Sequence, residues 1–189
     1  MKLRILLAGL LIAAAPLASA DPITFEANGH RYAIIEVGPG LTWEQARALA
    51  EEMGGHLATI GDAAENNFVA QLVEMAGGDP QRFWLGGYQT DPSNPLCEPA
   101  DCWAWVTGEP WDFENWAAGE PNNGVGGTQH YLHYWPFAGL FDDMENRHLM
   151  SGFVIEYSVP EPGTLALLGL GLFAIGFARR RRVAAKSRS

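Results

Sequence analysis

Basic residues are scarce where this chain has its bulk. Of 12 lysines and arginines, two precede residue 5 and six follow residue 178. Residues 21–158 therefore keep four, against 21 of the 22 acidic residues, a formal charge of −17. A surface of that sign repels nucleic acid and anionic membranes and suits cations; it equally serves as a solvated, aggregation-resistant coat. Cysteine is almost lacking. Cys97 and Cys102 enclose four residues of a Pro-rich loop. No further soft ligand accompanies them, which argues against a zinc site. In an exported chain the pair predicts a local disulfide, and so short a loop makes it a device that shapes the loop rather than one that holds the domain. The chain has no serine or cysteine nucleophile constellation, no phosphate-binding glycine loop and no internal repeat. Its long apolar runs, Ile5 to Ala15 and Thr164 to Ala178, fall short of the roughly 17–25 residues of a bilayer span.

Both ends read as address labels. Lys2 and Arg4 precede the first apolar run, and Ala18-Ser19-Ala20 gives a small-x-small cleavage site. Residues 1–20 are thus expected to be a secretory signal peptide, with an N-terminal anchor as the alternative. At the other end, Val159-Pro160-Glu161-Pro162-Gly163 leads into the second run and then Arg179 to Arg182. Snorkelling arginines would let a short helix span, with the arginines in the cytoplasm and the rest of the chain outside. Pro160-Glu161-Pro162, the short helix and the Arg cluster at 159–182 resemble the PEP-CTERM sorting signal, followed by a basic tail at 183–189. The resemblance implies an exosortase as partner, cleavage near Pro160 to Pro162, transient membrane anchoring through the C-terminal helix, and export to the cell surface or extracellular matrix. A plain single-pass anchor is the alternative.

Residues 21–158 have the size of one domain with a proper core. Ile23 to Val37 reads as one or two strands, with Tyr32, Ile34 and Ile35 inward. Thr42-Trp43-Glu44-Gln45 has the capping-box form, and Ala46, Leu49, Ala50 and Met53 recur at helical spacing before Gly54-Gly55. His56 to Ile60 looks like a short strand. Asp62 caps a second helix, with Glu65 at its third position, running through Phe68, Leu72 and Val73. Strands are expected at Phe83 to Gly87, Trp103 to Val106, Tyr131 to Tyr134 and Phe153 to Tyr157. The class is α+β.

Between Trp103 and Asp143 lie five of the seven tryptophans together with Glu120, Asn122, Asn123, Gln129, Asp142 and Asp143. Calcium takes six to eight oxygen ligands from such loops. The ordered motifs T-W-E-Q-A, G-G-H-L-A-T-I, D-A-A-E-N-N-F, F-W-L-G-G, W-A-W-V-T-G-E-P, N-W-A-A-G-E-P-N-N, F-D-D and F-V-I-E-Y resemble the C-type lectin-like domain across residues 30–157. That implies two helices flanking small antiparallel sheets, with a long loop region bearing the ligand site. The family's two disulfides are missing. One pair falls at Ala50 and Ile155, where an apolar contact would substitute; the other falls near Tyr131 (or His130) and Asn146.

The resemblance implies calcium held by Glu120 and Asn122 across a cis bond before Pro121, by Asp142 and Asp143, and by Gln129, or Thr128 under a one-residue shift. Asp142 replaces an amide and Gln129 a carboxylate, so three carboxylates are kept. Glu120, Asn122, Asp142 and Asp143 would also hydrogen-bond the sugar, in the version associated with mannose-, glucose- or fucose-like hydroxyl pairs. The two exchanges rearrange the donors that a sugar must match. Each segment has a plainer reading. Glu120 to Gly124 is a good turn, and Asp142-Asp143 suits a strand end. Trp84, Trp103, Trp105 and Trp116 are expected to pack; Trp111 and Trp135 either pack or stack on a sugar ring. His130 and His133 point to opposite faces of a strand, against a zinc site. The expected function is a non-enzymatic, calcium-dependent module binding an extracellular polysaccharide or other glycan, without nucleic acid. The alternatives are a structural or protein-binding matrix component, and a secreted glycan hydrolase working through paired carboxylates.

Overall fold

The computed structural model describes residues 18–19, 21–77, 82–94, 96–97, 99–135 and 139–158. The expected leader (apart from 18–19), the sorting signal with Pro160, Glu161 and Pro162, the apolar helix and the basic tail lie outside the described residues. Among the described residues, no helix is long and apolar enough to cross a membrane.

The elements are β1 (Ala18–Ser19), β2 (Ile23–Thr24), β3 (Arg31–Leu41), α1 (Trp43–Glu52), β4 (His56–Leu57) and α2 (Ala63–Met75). They continue with β5 (Phe83–Gln89), β6 (Trp103–Trp105), β7 (Gln129–Tyr134), β8 (Phe141–Glu145) and β9 (Met150–Tyr157). Local chemistry sets both helix starts. Thr42 and Gln45 close the expected capping box, and the Asp62 side chain accepts the Ala64 and Glu65 N–H groups, satisfying donors that a helix start leaves orphaned.

The strands form one sheet in the order β1-β3-β9-β5-β7-β8, with β2 on β3, β4 on β9 and β6 on β5. Its pairings are antiparallel except one: β5 runs parallel to β9, Phe83 opposite Gly152 and Trp84 opposite Phe153. The sheet is therefore mixed, because the chain crosses over through other elements before β9 joins β5. Strand alternation splits the core into two clusters. Tyr32, Ile34 and Val154 pack with Val69, Leu72 and Val73 of α2. Ala33, Ile35 and Ile155 pack with Trp43, Ala46 and Ala50 of α1. With a helix serving each face, β3 is buried on both sides. Ala50 and Ile155, where the family would have a disulfide, are both fully buried in one cluster. The disulfide that is present joins Cys97 and Cys102.

Candidate carboxylate-centred cation and sugar site

The site is assembled by pinning a loop to β8. The Ala117 N–H donates to the Phe141 carbonyl (2.9 Å) and the Phe141 N–H to the Asn115 carbonyl (2.8 Å). This short parallel run brings Glu120-Pro121-Asn122 over Asp142-Asp143. The Glu120–Pro121 peptide is cis, and Asn123 takes a left-handed φ of 57°, which asparagine tolerates better than most residues.

Asp143, fully buried, clamps the loop. Its Oδ1 accepts the Asn122 N–H at 2.9 Å and its Oδ2 the Asn123 N–H at 2.7 Å. Carboxylate oxygens of Glu120, Asp142 and Asp143 lie within 4.8 Å of one another. Burial, then the Asp142 charge, pushes the Glu120 carboxyl up to about 7; burial raises Asp143 too, against the two loop N–H groups. Glu120 Oε2 is buried with no hydrogen-bond partner among the described residues. Three acids crowded together with one oxygen unpaired are poorly served by protein donors alone. A hard, oxygen-seeking dication fits that donor set.

The other expected ligands are placed less directly. Asn122 lines the same cleft, but its Oδ1 accepts the Gly124 N–H at 2.7 Å. Gln129 also lines it, its carbonyl packed over Gly124, where a Cβ would collide with it, and its amide 3.7 Å from Met144 Sδ. Asn123 Oδ1 accepts the Gln129 N–H at 2.9 Å, tying the two ends of the loop together. Thr128, the shifted alternative, contacts Glu145 instead, at 3.3 Å.

Two features were not read from the sequence. His133 lies opposite Asp142 across β7 and β8, with Nε2 2.9 Å from Asp142 Oδ2 and both side chains buried. Neither imidazole nitrogen has a hydrogen-bond partner among the described residues, so this is a close polar contact rather than a hydrogen bond. Arg82, from outside the loop, lines a cleft of about 720 Å³ with Glu120, Asn122, His133, Trp135 and Asp142. The tryptophans divide. Trp111 stacks into the core with Trp103, Trp105 and Trp116, whereas Trp135 stands at the cleft.

Residues 40–131 match the family model of the lectin C-type domain, and residues 158–182 match the PEP-CTERM protein-sorting motif. The galactose-specific lectin nattectin of Thalassophryne nattereri is 28% identical over 85 residues, 45% of this chain and 49% of that protein. The chain spans about half the length, or less, of several of the curated relatives it matches. The C-type carbohydrate-recognition domain of cow CD23, solved in the presence of an oligosaccharide, aligns with a TM-score of 0.56 at 22% identity, covering 70% of this chain and 90% of that one. A calcium-independent type II antifreeze protein aligns with a TM-score of 0.57 at 19% identity, covering 76% and 97%. The fold is that of the C-type lectins. The chain belongs with C-type lectin-like domain proteins that carry a PEP-CTERM sorting motif.

Proposed function

We propose that residues 21–158 form an exported module that binds calcium and, through it, a glycan of the cell surface or extracellular matrix. The carrying observation is the Glu120–Asp142–Asp143 cluster, whose buried Glu120 Oε2 has no partner among the described residues. Glu120, Asp142 and Asp143 would hold the ion, with the Asn122 and Gln129 amides turning toward it. Bound calcium would offer open coordination positions to neighbouring sugar hydroxyls. This chain's own residues do the rest: Asp143 fixes the loop, and the remaining oxygens and amide groups accept from and donate to those hydroxyls. Lectins among the relatives support a binding rather than a catalytic module. The sorting motif supports export and handling by an exosortase, with the 164–178 segment as a temporary anchor.

One weak metal-centred site holds one sugar loosely, so adhesion would rest on many copies displayed together. The test is a calorimetric calcium titration of the chelator-stripped chain. One saturable site, lost in Asp143→Ala, is expected; no binding heat and no calcium-dependent shift in melting temperature would overturn the metal reading.

A second reading has its own observation. Asp143 is already satisfied by two loop N–H groups and Asn122 Oδ1 by Gly124, and His133 stands against Asp142. A loop so provided for suits a structural or protein-binding matrix component. Glycan retention that persists in chelator, or none at all, favours it.

A further inference from the structure

The cleft beside the carboxylate cluster carries a cation of its own. Residues 21–158 hold four arginines, and three are engaged elsewhere. Arg31 lies over the Tyr157 ring (5.5 Å), Arg47 pairs with Glu51 (3.0 Å), and Arg147 pairs with Glu145 (2.7 Å). Arg82 has no acidic partner among the described residues, and it is the one of the four that lines the cleft. Its Nε donates to Ser151 Oγ at 2.8 Å. That bond anchors the guanidinium and leaves both terminal nitrogens as a planar fork, the geometry that takes a carboxylate in two parallel hydrogen bonds.

His148 and Trp135 line the cleft with it. Trp135 also stands apart from its kind. Each of the other tryptophans has an aromatic neighbour, Trp43 with Tyr88 and Tyr131, Trp84 with His133, and the remaining four with one another. The Trp135 ring has none among the described residues, which leaves it for the apolar face of a ligand.

We infer that the glycan is acidic: Arg82, flanked by Trp135 and His148, forms a carboxylate-binding subsite beside the Glu120–Asp142–Asp143 centre, so that the chain takes a uronic-acid polysaccharide. The inference rests on the glycan reading above. The domain's charge of −17 opposes a polyanion at long range, but physiological salt screens that field beyond about 8 Å. Within the cleft, bound calcium would offset the Glu120, Asp142 and Asp143 carboxylates, and Arg82 then decides.

The test uses beads carrying glucuronate, galacturonate or mannuronate coupled through C1, each beside its neutral hexose. The members of a pair then differ only in the carboxylate. The full chain is applied with calcium and with chelator, as wild type and as Arg82→Gln and Arg82→Lys, with the calcium-induced rise in melting temperature as the check on an intact site. At least one uronate should be retained about tenfold more strongly than its hexose, the worth of one charge-assisted pair. Arg82→Gln should bring that ratio close to one, and Arg82→Lys should recover part of it. Equal retention of uronate and hexose by the wild type, or a ratio unmoved in Arg82→Gln, overturns the acidic subsite and leaves the glycan reading standing. Retention on no bead overturns both. Uronate retention that needs Arg82 but survives chelator supports the subsite and overturns the calcium requirement.

Discussion

Glu65 and Glu156 meet His30 in one part of this domain, and Glu120 meets Asp142 and Asp143 in another. Both groups draw carboxylates close inside the protein, and both would pass as metal sites on spacing alone. They differ in donors. Glu65 Oε1 accepts from Asn28 and the Tyr32 hydroxyl, and its Oε2 accepts the Gly61 N–H at 2.6 Å. Glu156 Oε1 meets His30 Nδ1 at 2.5 Å, and its Oε2 accepts the Thr59 N–H and hydroxyl, each at 2.9 Å. All four oxygens are served by the protein. In the other group, Glu120 Oε2 has no partner among the described residues, and burial followed by the Asp142 charge raises the Glu120 pKa. The first group is a polar strut between β3, α2 and β9. The second keeps one buried carboxylate oxygen unserved among the described residues, as the proposed cation site requires.

The largest effect should come from breaking the strut. Glu156→Ala would leave the Thr59 N–H, its hydroxyl and His30 facing a void, and removing one partner of such a buried network costs roughly 3–5 kcal/mol. Calorimetric unfolding checks this; a loss under about 1 kcal/mol would mean that the network contributes no more than a surface pair. Asp143→Ala should cost less, about 1–3 kcal/mol without calcium, because two loop N–H groups lose their acceptor. It should also lose the calcium-induced rise in melting temperature. Glu120→Gln sharpens the contrast. It should abolish that rise while leaving the metal-free protein as stable as before, or more so. A destabilised metal-free Glu120→Gln would show that Glu120 belongs to a strut as well.

How much of this was legible follows from how local each feature is. The capping box of Thr42 and Gln45 spans one turn, and the residues alone announce it. Tyr32, Ile34 and Ile35 declare themselves as core by their neighbours, and the Glu-Pro-Asn tripeptide marks its loop by composition. Strand β8 did not declare itself, because Phe141-Asp142-Asp143-Met144-Glu145 breaks apolar alternation. Its two aspartates are buried by pairing with β7 and by the loop above them, neither of which a local window contains. The contact of His133 with Asp142 needs the β7–β8 register. Glu65 was read as a residue of the helix start, yet its carboxylate reaches Gly61 and Tyr32. Arg82 has no pattern around it at all; only the fold brings it to the cleft.

A pH series separates the two groups more gently. The Glu120 carboxyl sits at about 7 in the folded protein against an ordinary 4.5. Between those values the folded chain holds a proton that the unfolded chain has released, so metal-free stability falls as pH rises through that window. Calcium displaces the proton, so its stabilising effect should grow as pH rises through 7. Melting temperatures with and without calcium, below pH 4.5 and above pH 7, should therefore diverge, and Glu120→Gln should flatten the metal-free slope. A metal-free slope unchanged by that substitution would remove Glu120 as its source.

The smallest effect tests whether His133 serves the open group as His30 serves the closed one. His133→Phe keeps an aromatic ring for the edge-on contact with Trp84, whose ring centroid is 6.1 Å away, and removes both nitrogens. If the imidazole orients Asp142 so that one oxygen stays tied back and the other faces the centre, its loss should weaken calcium about tenfold, the lower range for a group behind a metal ligand. Asp142→Asn restores an amide and removes the charge that His133 meets. In that background His133→Phe should add almost nothing, because the two changes share one contact. Tighter calcium binding in His133→Phe would reverse the assignment. The imidazole would then be a resident cation competing for the site, and the open group would resemble the closed one more than its unpaired oxygen suggests.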